Sequence, residues 1–225
     1  MSIIFQERPS DSPLIASVIH GHTVRDGSSL RPAVNDWHLV FVQYRGGLRP
    51  LIVGPKTTAG IASWEEGAEI LWIKFQPGTF MPHLPFKTLL DEEIPLLEAS
   101  SRSFWLDGAA WQVPDVDHVE TFVTRLERAG LLVQDPLVRD VLAQGIQGIP
   151  ERTVRHRFSQ ATGLTRTHMR QVERAQQAAL LLERGVSIAD VVFQTGYSDQ
   201  PHLTRSLRQF VGHTPAHILR VHNLG

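Results

Sequence analysis

The chain has 225 residues, of which 42% are hydrophobic and 20% charged, as in ordinary globular proteins. It contains no cysteine, which excludes disulfides, thiolate metal sites and a cysteine nucleophile. No run of eighteen apolar residues predicts a membrane span, and no basic segment followed by an apolar stretch predicts a secretory signal. We therefore expect a cytoplasmic protein.

Charge is distributed unevenly, although the net charge is only −1. Residues 1–133 carry 11 Lys and Arg against 16 Asp and Glu, whereas residues 134–225 carry 11 Arg, no Lys and 7 acidic residues. Arginine suits phosphates and guanine edges better than lysine does. The balance favours nucleic-acid binding by the second part, but the excess is modest, and a solvated surface that happens to use arginine is the alternative.

Strand patterns dominate the first part of the chain. The segments Trp37–Tyr44, Leu51–Val53 and Ile70–Phe75 are rich in β-branched and aromatic residues, with turn signals at Gly46–Gly47 and Gly54–Pro55. Short strands at this spacing predict a small, cupin-like β-barrel or sandwich over residues 1–133.

An amphipathic helix is predicted near the end of this part, over residues 116–130. Val116, Val119, Phe122, Val123 and Leu126 recur at helical spacing, and Gly130 ends the pattern. We expect the helix to pack on the β domain or on a second copy of itself, which makes it the candidate dimer surface.

Two features of this half could belong to a small-molecule site. His20 and His22 resemble the start of a cupin metal motif, but Asp26 is the only nearby carboxylate, so two strand histidines sharing one face are the favoured interpretation. All five tryptophans also lie here and could line a ligand pocket, although aromatic residues more often form the core.

From Asp135 onward the sequence predicts consecutive short helices separated by Gly and Pro. A helical unit is repeated at an offset of 49 residues. The matched pairs are Val154 with Leu203, Phe158 with Leu207, Gly163 with Gly212, Thr165 with Thr214, His168 with His217, and Met169 with Ile218. Each apolar pair marks the inner face of a helix, and the glycine marks its end.

A long helix, Thr165–Glu183, separates the two copies and ends at Arg184 and Gly185. Ser187 to Asp190 then forms a capping-box pattern that begins a short helix ending at Gly196.

Ser198 is the expected cap of the following helix, in which Pro201 is tolerated in the first turn. This helix buries Leu203, Leu207 and Phe210. It exposes Gln200, His202, Arg205 and Arg208.

A short helix, a glycine turn and a second helix with an exposed Gln, His and Arg face constitute the helix-turn-helix plan. In that plan the second helix enters the major groove, where Gln pairs with adenine and Arg with guanine. A helical bundle with surface arginines is the alternative, and the two copies argue against it.

Residues 187–220 resemble the C-terminal signature of AraC-family transcription regulators. The specific parts are the GYSDQPHLTR core and the G-x-T-P ending, and the resemblance extends back to about Asp135. It implies an α+β chain: a β-rich sensor or dimerisation domain over 1–133, and over 134–225 an all-α DNA-binding domain with two helix-turn-helix units joined by a long helix. The two recognition helices are then expected to enter successive major grooves.

Carried over position by position, the resemblance places Arg152, Thr153 and His156 of the first unit, and Pro201, His202 and Arg205 of the second, against bases or phosphates. Arg155 and Arg157, which flank His156, are candidate phosphate contacts. The predicted DNA-binding residues of the second unit also include Ser198, Asp199, Gln200 and Arg208.

The first unit departs from the family pattern. His156 replaces the usual Arg, Arg166 replaces a Pro, and Pro150 replaces a Ser cap, while Gln144–Gly148 matches poorly. We expect this unit to bind DNA more weakly, or with pH dependence through His156.

These observations predict a sequence-specific transcription regulator that responds to a small-molecule effector or a partner. The alternatives are a cupin-like metal enzyme fused to a DNA-binding domain and an effector-independent dimeric DNA-binder. We expect no catalytic residue, metal or cofactor. The expected partners are double-stranded DNA, a small effector, RNA polymerase and a second copy of the chain, with no membrane contact and with nucleoid association when bound to DNA.

Overall fold

The computed structural model describes residues 3–143 and 148–222, apart from the side chains of Ala143 and His222. It has a β-rich N-terminal region and a helical C-terminal region, which confirms the α+β class. The described residues divide into two compact units. Unit 1 comprises Met1–Ser28, Asp36–Pro55 and Ser63–Thr165, and unit 2 comprises Ser29–Asn35, Lys56–Ala62 and Arg166–Gly225.

Thirteen strands are found among the described residues. They are β1 (Ile3–Pro9), β2 (Ile15–Thr23), β3 (Gly27–Arg31), β4 (His38–Tyr44), β5 (Gly47–Val53), β6 (Gly60–Trp64), β7 (Glu69–Phe75), β8 (Thr79–Phe80), β9 (Glu93–Pro95), β10 (Glu98–Ser100), β11 (Ser103–Leu106), β12 (Ala109–Gln112) and β13 (Val133–Gln134). The main antiparallel sheet has the order β1-β2-β7-β4-β5-β9. β10, β11 and β12 form a second sheet, and β8 pairs with β13 and β3 with β6.

The main sheet is open, with β1 and β9 at its edges, so within the described ranges the strands do not close into the barrel that the spacing suggested. The predicted strands themselves are confirmed as β4, β5 and β7. The turn between β4 and β5 lies at Arg45 and Gly46, which both have positive φ, of 49° and 80°. A two-residue loop of this kind suits the twist of a tight hairpin.

The amphipathic helix is confirmed as α1 (Val119–Arg128), preceded by a 3-10 turn at Val116–His118. All four of its apolar residues are buried in the core of unit 1, where Phe122 meets Phe41 and Phe104. The helix therefore packs on the β domain. Its apolar face is not the free dimer surface that the sequence also allowed, because the sheet already covers it.

An ion pair between Arg8 of β1 and Glu120 of α1 links the helix to this edge strand. Its Nη1 and Nη2 donate to the two carboxylate oxygens of Glu120 at 2.7 and 3.1 Å, and Ser10 Oγ donates to Glu120 at 2.7 Å. These hydrogen bonds, led by that from Arg8, lower the pKa of Glu120 from 4.5 to about 2.

Replacement of Glu120 by Gln should therefore destabilise unit 1 in a pH-dependent way. A carboxyl group whose folded-state pKa is depressed stabilises the fold above its unfolded pKa, and this contribution is lost as the pH falls from 4.5 towards 2. Because the pair is partly exposed, we expect a loss of only about 1 kcal/mol at neutral pH.

Urea unfolding followed by tryptophan fluorescence measures this, since all five tryptophans lie in unit 1. The difference between Glu120→Gln and the parent chain should shrink as the pH is lowered below 4.5. A difference that stays constant with pH would contradict the role given to the ion pair.

Seven α-helices follow one another in the described ranges. They are α1, α2 (Pro136–Ala143), α3 (Glu151–Thr162), α4 (Arg166–Glu183), α5 (Ile188–Thr195), α6 (Gln200–Phe210) and α7 (Pro215–His222). α2 and α3 belong to unit 1, whereas α4 to α7 belong to unit 2. The last boundary between the two units thus lies between Thr165 and Arg166. The domain boundary between residues 133 and 134, which rests on the change in sequence pattern, stays a prediction.

The repeated unit is visible in α3 and α6. Val154 and Phe158 of α3 are buried, as are Leu203 and Leu207 of α6. Gly163 and Gly212, which follow the two helices, have φ values of 72° and 85°. Only glycine adopts this left-handed conformation without strain, which explains its recurrence at the same place in both copies.

Unit 2 has its own core, built on α4. Val172, Ala175 and Leu182 are fully buried and belong to one cluster with Leu203 and Leu207. The small alanines on α4 allow its neighbours α5, α6 and α7 to approach closely.

Two segments from the N-terminal half complete this unit. The Ala33 backbone N–H donates to Phe210 O at 2.7 Å, Gln176 Nε2 donates to Ala33 O at 2.8 Å, and the Ala59 N–H donates to Gln209 O at 2.8 Å. Ala33 is completely buried in the helical core.

Leu203→Ala should destabilise unit 2 by about 2–5 kcal/mol, because it removes fully buried apolar volume. Phe193→Ala is the matched control: this side chain on α5 is 87% exposed, and its truncation should cost less than about 0.5 kcal/mol. Thermal unfolding followed by far-ultraviolet circular dichroism compares the two. Equal losses would show that the face assignment of α6 is wrong.

Candidate nucleic-acid interface

The second helix-turn-helix consists of α5, a turn and α6. Ser187 caps α5 by accepting the Asp190 N–H at 3.2 Å, while its hydroxyl donates to the Asp190 carboxylate at 2.6 Å. The helix ends at Gly196, whose φ of 68° reverses the chain direction. These local features confirm the predicted start and end of α5.

Asp199, and not Ser198, caps α6. Asp199 Oδ1 accepts the His202 backbone N–H at 2.7 Å, and this hydrogen bond lowers the pKa of Asp199. The Ser198 hydroxyl lies beside the cap, donating to Asp199 Oδ2 at 3.3 Å. The expectation that Ser198 would be the cap is corrected, because α6 begins at Gln200 and the residue immediately before a helix is the one placed to cap it.

The polar face of α6 lies opposite its buried face. Pro201, Arg205 and Arg208 are exposed at positions i, i+4 and i+7, so they form one row along the helix. Gln200 is exposed at the N-terminal end of the same helix. This arrangement presents two cations on the side of α6 that faces away from the core.

A small polar network fixes the start of α6 from its other side. The Tyr197 hydroxyl shares a hydrogen bond of 2.7 Å with Ser206 Oγ, and Arg174 of α4 lies over the Tyr197 ring, 4.3 Å from its centroid. His202 meets the edge of the same ring, and its Nδ1 lies 3.1 Å from Ser198 Oγ. Nε2 is therefore the nitrogen of His202 placed for an external partner.

The first recognition helix, α3, exposes Arg152, Thr153, Arg155 and His156. Its N-terminal residue Pro150 supplies no side-chain hydrogen bond, as expected from the missing Ser cap. All four side chains that were predicted to contact DNA in this unit are therefore accessible on the surface of α3.

Arg157 does not join them. Its Nε donates to Asp135 Oδ2 at 2.9 Å and its Nη2 donates to Asp135 Oδ1, while Asp135 Oδ1 also accepts the Leu137 N–H at the start of α2. This bidentate ion pair joins the start of α2 to α3, and the phosphate contact by Arg157 stays a prediction. The predicted glycine-rich turn lies at Gln144–Gly148, and residues 144–147 of it are outside the described residues.

A cleft of about 590 Å³ runs beside α3 within unit 1. Arg152, Arg155 and His156 form one side, and Pro85 to Lys87 form the other. Lys87 thus adds a cation beside the exposed side chains of α3. No pattern in the sequence points to Lys87, because it lies in the short 3-10 helix Phe86–Leu89, far from α3 along the chain.

The predicted histidine pair lies on β2, where His20 and His22 occupy alternate positions of the strand. His20 Nε2 is 3.4 Å from Glu69 Oε2. Within residues 3–143 and 148–222, no three His, Asp or Glu side chains are grouped so that they could hold a metal ion. Over the same ranges, none of the helices combines the length and apolar character needed to cross a membrane.

The helices α3 and α6 each follow a shorter helix and expose arginines, an arrangement typical of helix-turn-helix DNA-binding proteins. Residues 146–220 match a protein-family model described as a helix-turn-helix domain, which confirms the predicted helix-turn-helix domain over a third of the chain. The match and the geometry support a DNA-binding transcription regulator.

Comparisons with curated proteins and with solved structures give no further support for the function. No curated protein matches the chain. The solved structure of ToxT from Vibrio cholerae is similar over 96% of this chain and 98% of that one, with 9% sequence identity and a TM-score of 0.39. A similarity at this level supports no argument about the site.

Asp199→Asn tests whether this residue acts only as a cap. Asn caps helices about as well as Asp, but the substitution removes a negative charge next to DNA, so affinity for any duplex should rise roughly two- to fivefold. Fluorescence anisotropy with a random-sequence duplex measures this, and Asp199→Ala, which also removes the cap, is the control. A loss of affinity restricted to one sequence would instead show that Asp199 reads a cytosine.

Proposed function

We propose that the chain is a sequence-specific transcription regulator that binds double-stranded DNA through α6 and α3. The observation that carries this proposal is the exposed row on α6. Arg205 and Arg208 stand on a helix whose opposite face is fully buried and whose first turn is capped by Asp199. Such a rigid, cationic helix suits insertion into a major groove.

The side chains of α6 divide into two groups. Gln200 and Arg205 have the chemistry to read adenine and guanine by paired hydrogen bonds, and His202 Nε2 can donate or accept beside them. Arg208 lies further along the helix and suits a phosphate contact. Ser198 and Asp199 position α6, and Pro201 can make only an apolar contact with a base.

The first unit supplies a second, less regular contact surface. Arg152, Arg155 and His156 stand on α3, and Lys87 lies across the cleft from them. We expect Arg152 and Lys87 to add phosphate contacts, while Thr153 and His156 are placed to read base edges. This half of the recognition sequence should be the weaker, because α3 lacks a side-chain cap and carries His156 in place of Arg.

The β-rich region is proposed to regulate DNA binding in response to a small molecule. Homodimerisation, contact with RNA polymerase and a cytoplasmic location stay predictions. That the chain is not an enzyme stays a prediction.

The deciding experiment is selection of genomic DNA fragments by the purified chain at two salt concentrations, followed by sequencing. Specific binding predicts one enriched motif of about two helical turns that persists as salt rises. A motif of half that length would assign base recognition to α6 alone. Binding without a motif that disappears at moderate salt would contradict sequence-specific regulation.

Arg205→Ala should then weaken binding to the selected motif by about 1–3 kcal/mol while changing affinity for random DNA little. Arg184→Ala is the matched control, because it removes an exposed arginine after the end of α4 and should have little effect on either DNA. Titration of both duplexes at one salt concentration gives the comparison. An equal loss on both duplexes would assign Arg205 to phosphate contact.

A further inference from the structure

A small cavity of about 190 Å³ lies in unit 1. Its walls are mostly apolar, and its two polar residues, His83 and Asp107, are exposed, whereas the wall residues Ile52 and Met81 are buried. Other wall residues are Leu84, Ile94, Leu96 and Leu106. The cavity therefore has an apolar interior and a polar mouth.

This size and lining define the class of ligand that fits. A cavity of about 150 Å³ lined by aliphatic side chains holds one benzene ring, so this one has room for a single ring with a short substituent. Asp107, when ionised, only accepts hydrogen bonds. It favours a substituent that donates, above all an ammonium group, and disfavours a carboxylate.

One segment of the chain, residues 81–89, lines both this cavity and the cleft beside α3. Met81, His83 and Leu84 face the cavity. Pro85, Phe86 and Lys87 face the cleft that Arg152, Arg155 and His156 line. We call this segment the strap, and a ligand on one side of it lies a few residues from the DNA-facing side chains on the other.

The strap is held at both ends. Before it, β8 pairs with β13. After it, the Asp91 N–H donates to Pro55 O at 2.9 Å and the Gly54 N–H donates to Glu92 O at 3.0 Å. Because both ends of the strap are fixed, a ligand that displaces Leu84 must also move the neighbouring residues of the strap.

The middle of the strap packs directly on the end of α3. A Cβ atom at Gly163 would lie only 2.7 Å from Phe86 O, so helix and strap touch through backbone with no intervening side chain. Phe86 is itself buried, with its ring 5.3 Å from that of Trp37. Close-packed contacts of this kind transmit a shift instead of absorbing it.

We propose that this cavity is the effector site, that it takes a single-ring compound with a short cationic substituent, and that the strap transmits its occupancy to α3. The inference rests on the proposed function for its regulatory meaning, but ligand binding by the cavity does not depend on DNA binding. The two can therefore fail separately.

The test is methyl and amide NMR titration of the full chain with benzylamine, benzyl alcohol and benzoate. Benzylamine should cause saturable shifts concentrated at the methyl groups of Met81, Leu84, Ile94 and Leu106, and should bind roughly tenfold more tightly than benzyl alcohol. Benzoate should bind more weakly than either. Binding should also shift the amide signals of Phe86 and Gly163.

Two variants make the test specific. Asp107 has a left-handed backbone conformation, with a φ of 49°, which Asn also tolerates. Asp107→Asn should therefore preserve the turn and abolish the preference for benzylamine over benzyl alcohol. Leu106→Phe should fill the cavity and weaken all three compounds, while leaving DNA selection by α6 intact.

Each outcome bears on the proposal. Shifts at the cavity and at Gly163 that vanish in Leu106→Phe support it. Non-saturable or scattered shifts would overturn the ligand site, and cavity shifts without any change at Phe86 and Gly163 would overturn transmission by the strap. A chain that binds benzylamine as described but selects no DNA motif would refute the proposed function and leave the ligand site standing.

Discussion

Burial of two leucines one helical turn apart determines which side chains α6 exposes. Leu203 and Leu207 are fully enclosed by unit 2, so the helix cannot rotate without exposing apolar surface worth several kcal/mol. This packing holds Arg205 and Arg208 on the exposed side of the helix. Val154 and Phe158 impose the same constraint on α3, which is why the two recognition helices share a spacing although few of their polar residues match.

Local signals made the helices predictable. The bounds of α4, α5 and α6 follow from glycine stops and the 3.6-residue spacing, and both act within a few residues along the chain. The cap of α6 was predicted at Ser198 but is Asp199, because both side chains can accept a backbone hydrogen bond and only the position of the first turn of α6 decides between them. The order of the strands in the main sheet could not be predicted, because it depends on pairings between distant residues such as those of β2 and β7.

The first helix-turn-helix differs from the second in what supports it. Its two helices are joined by the Asp135–Arg157 ion pair, and α3 rests on the 3-10 helix Phe86–Leu89 of the β-rich region. Neither the pairing of Asp135 nor the position of Lys87 leaves a pattern in the sequence, since both arise from tertiary contacts. The unit that matches the family pattern poorly is thus also the one that packs on residues of the β-rich region.

Ala33 has a consequence for how such a chain can evolve. Its side chain sits in the helical core and its backbone bonds to Phe210 and Gln176, so the unit that carries α6 is assembled from three separate stretches of sequence. A recombination event that exchanged only the C-terminal ninety or so residues would leave behind part of that core. Exchange of the DNA-reading region between relatives would then require compensating change near residues 29–35 and 56–62, which ties the inheritance of specificity to that of the β-rich half.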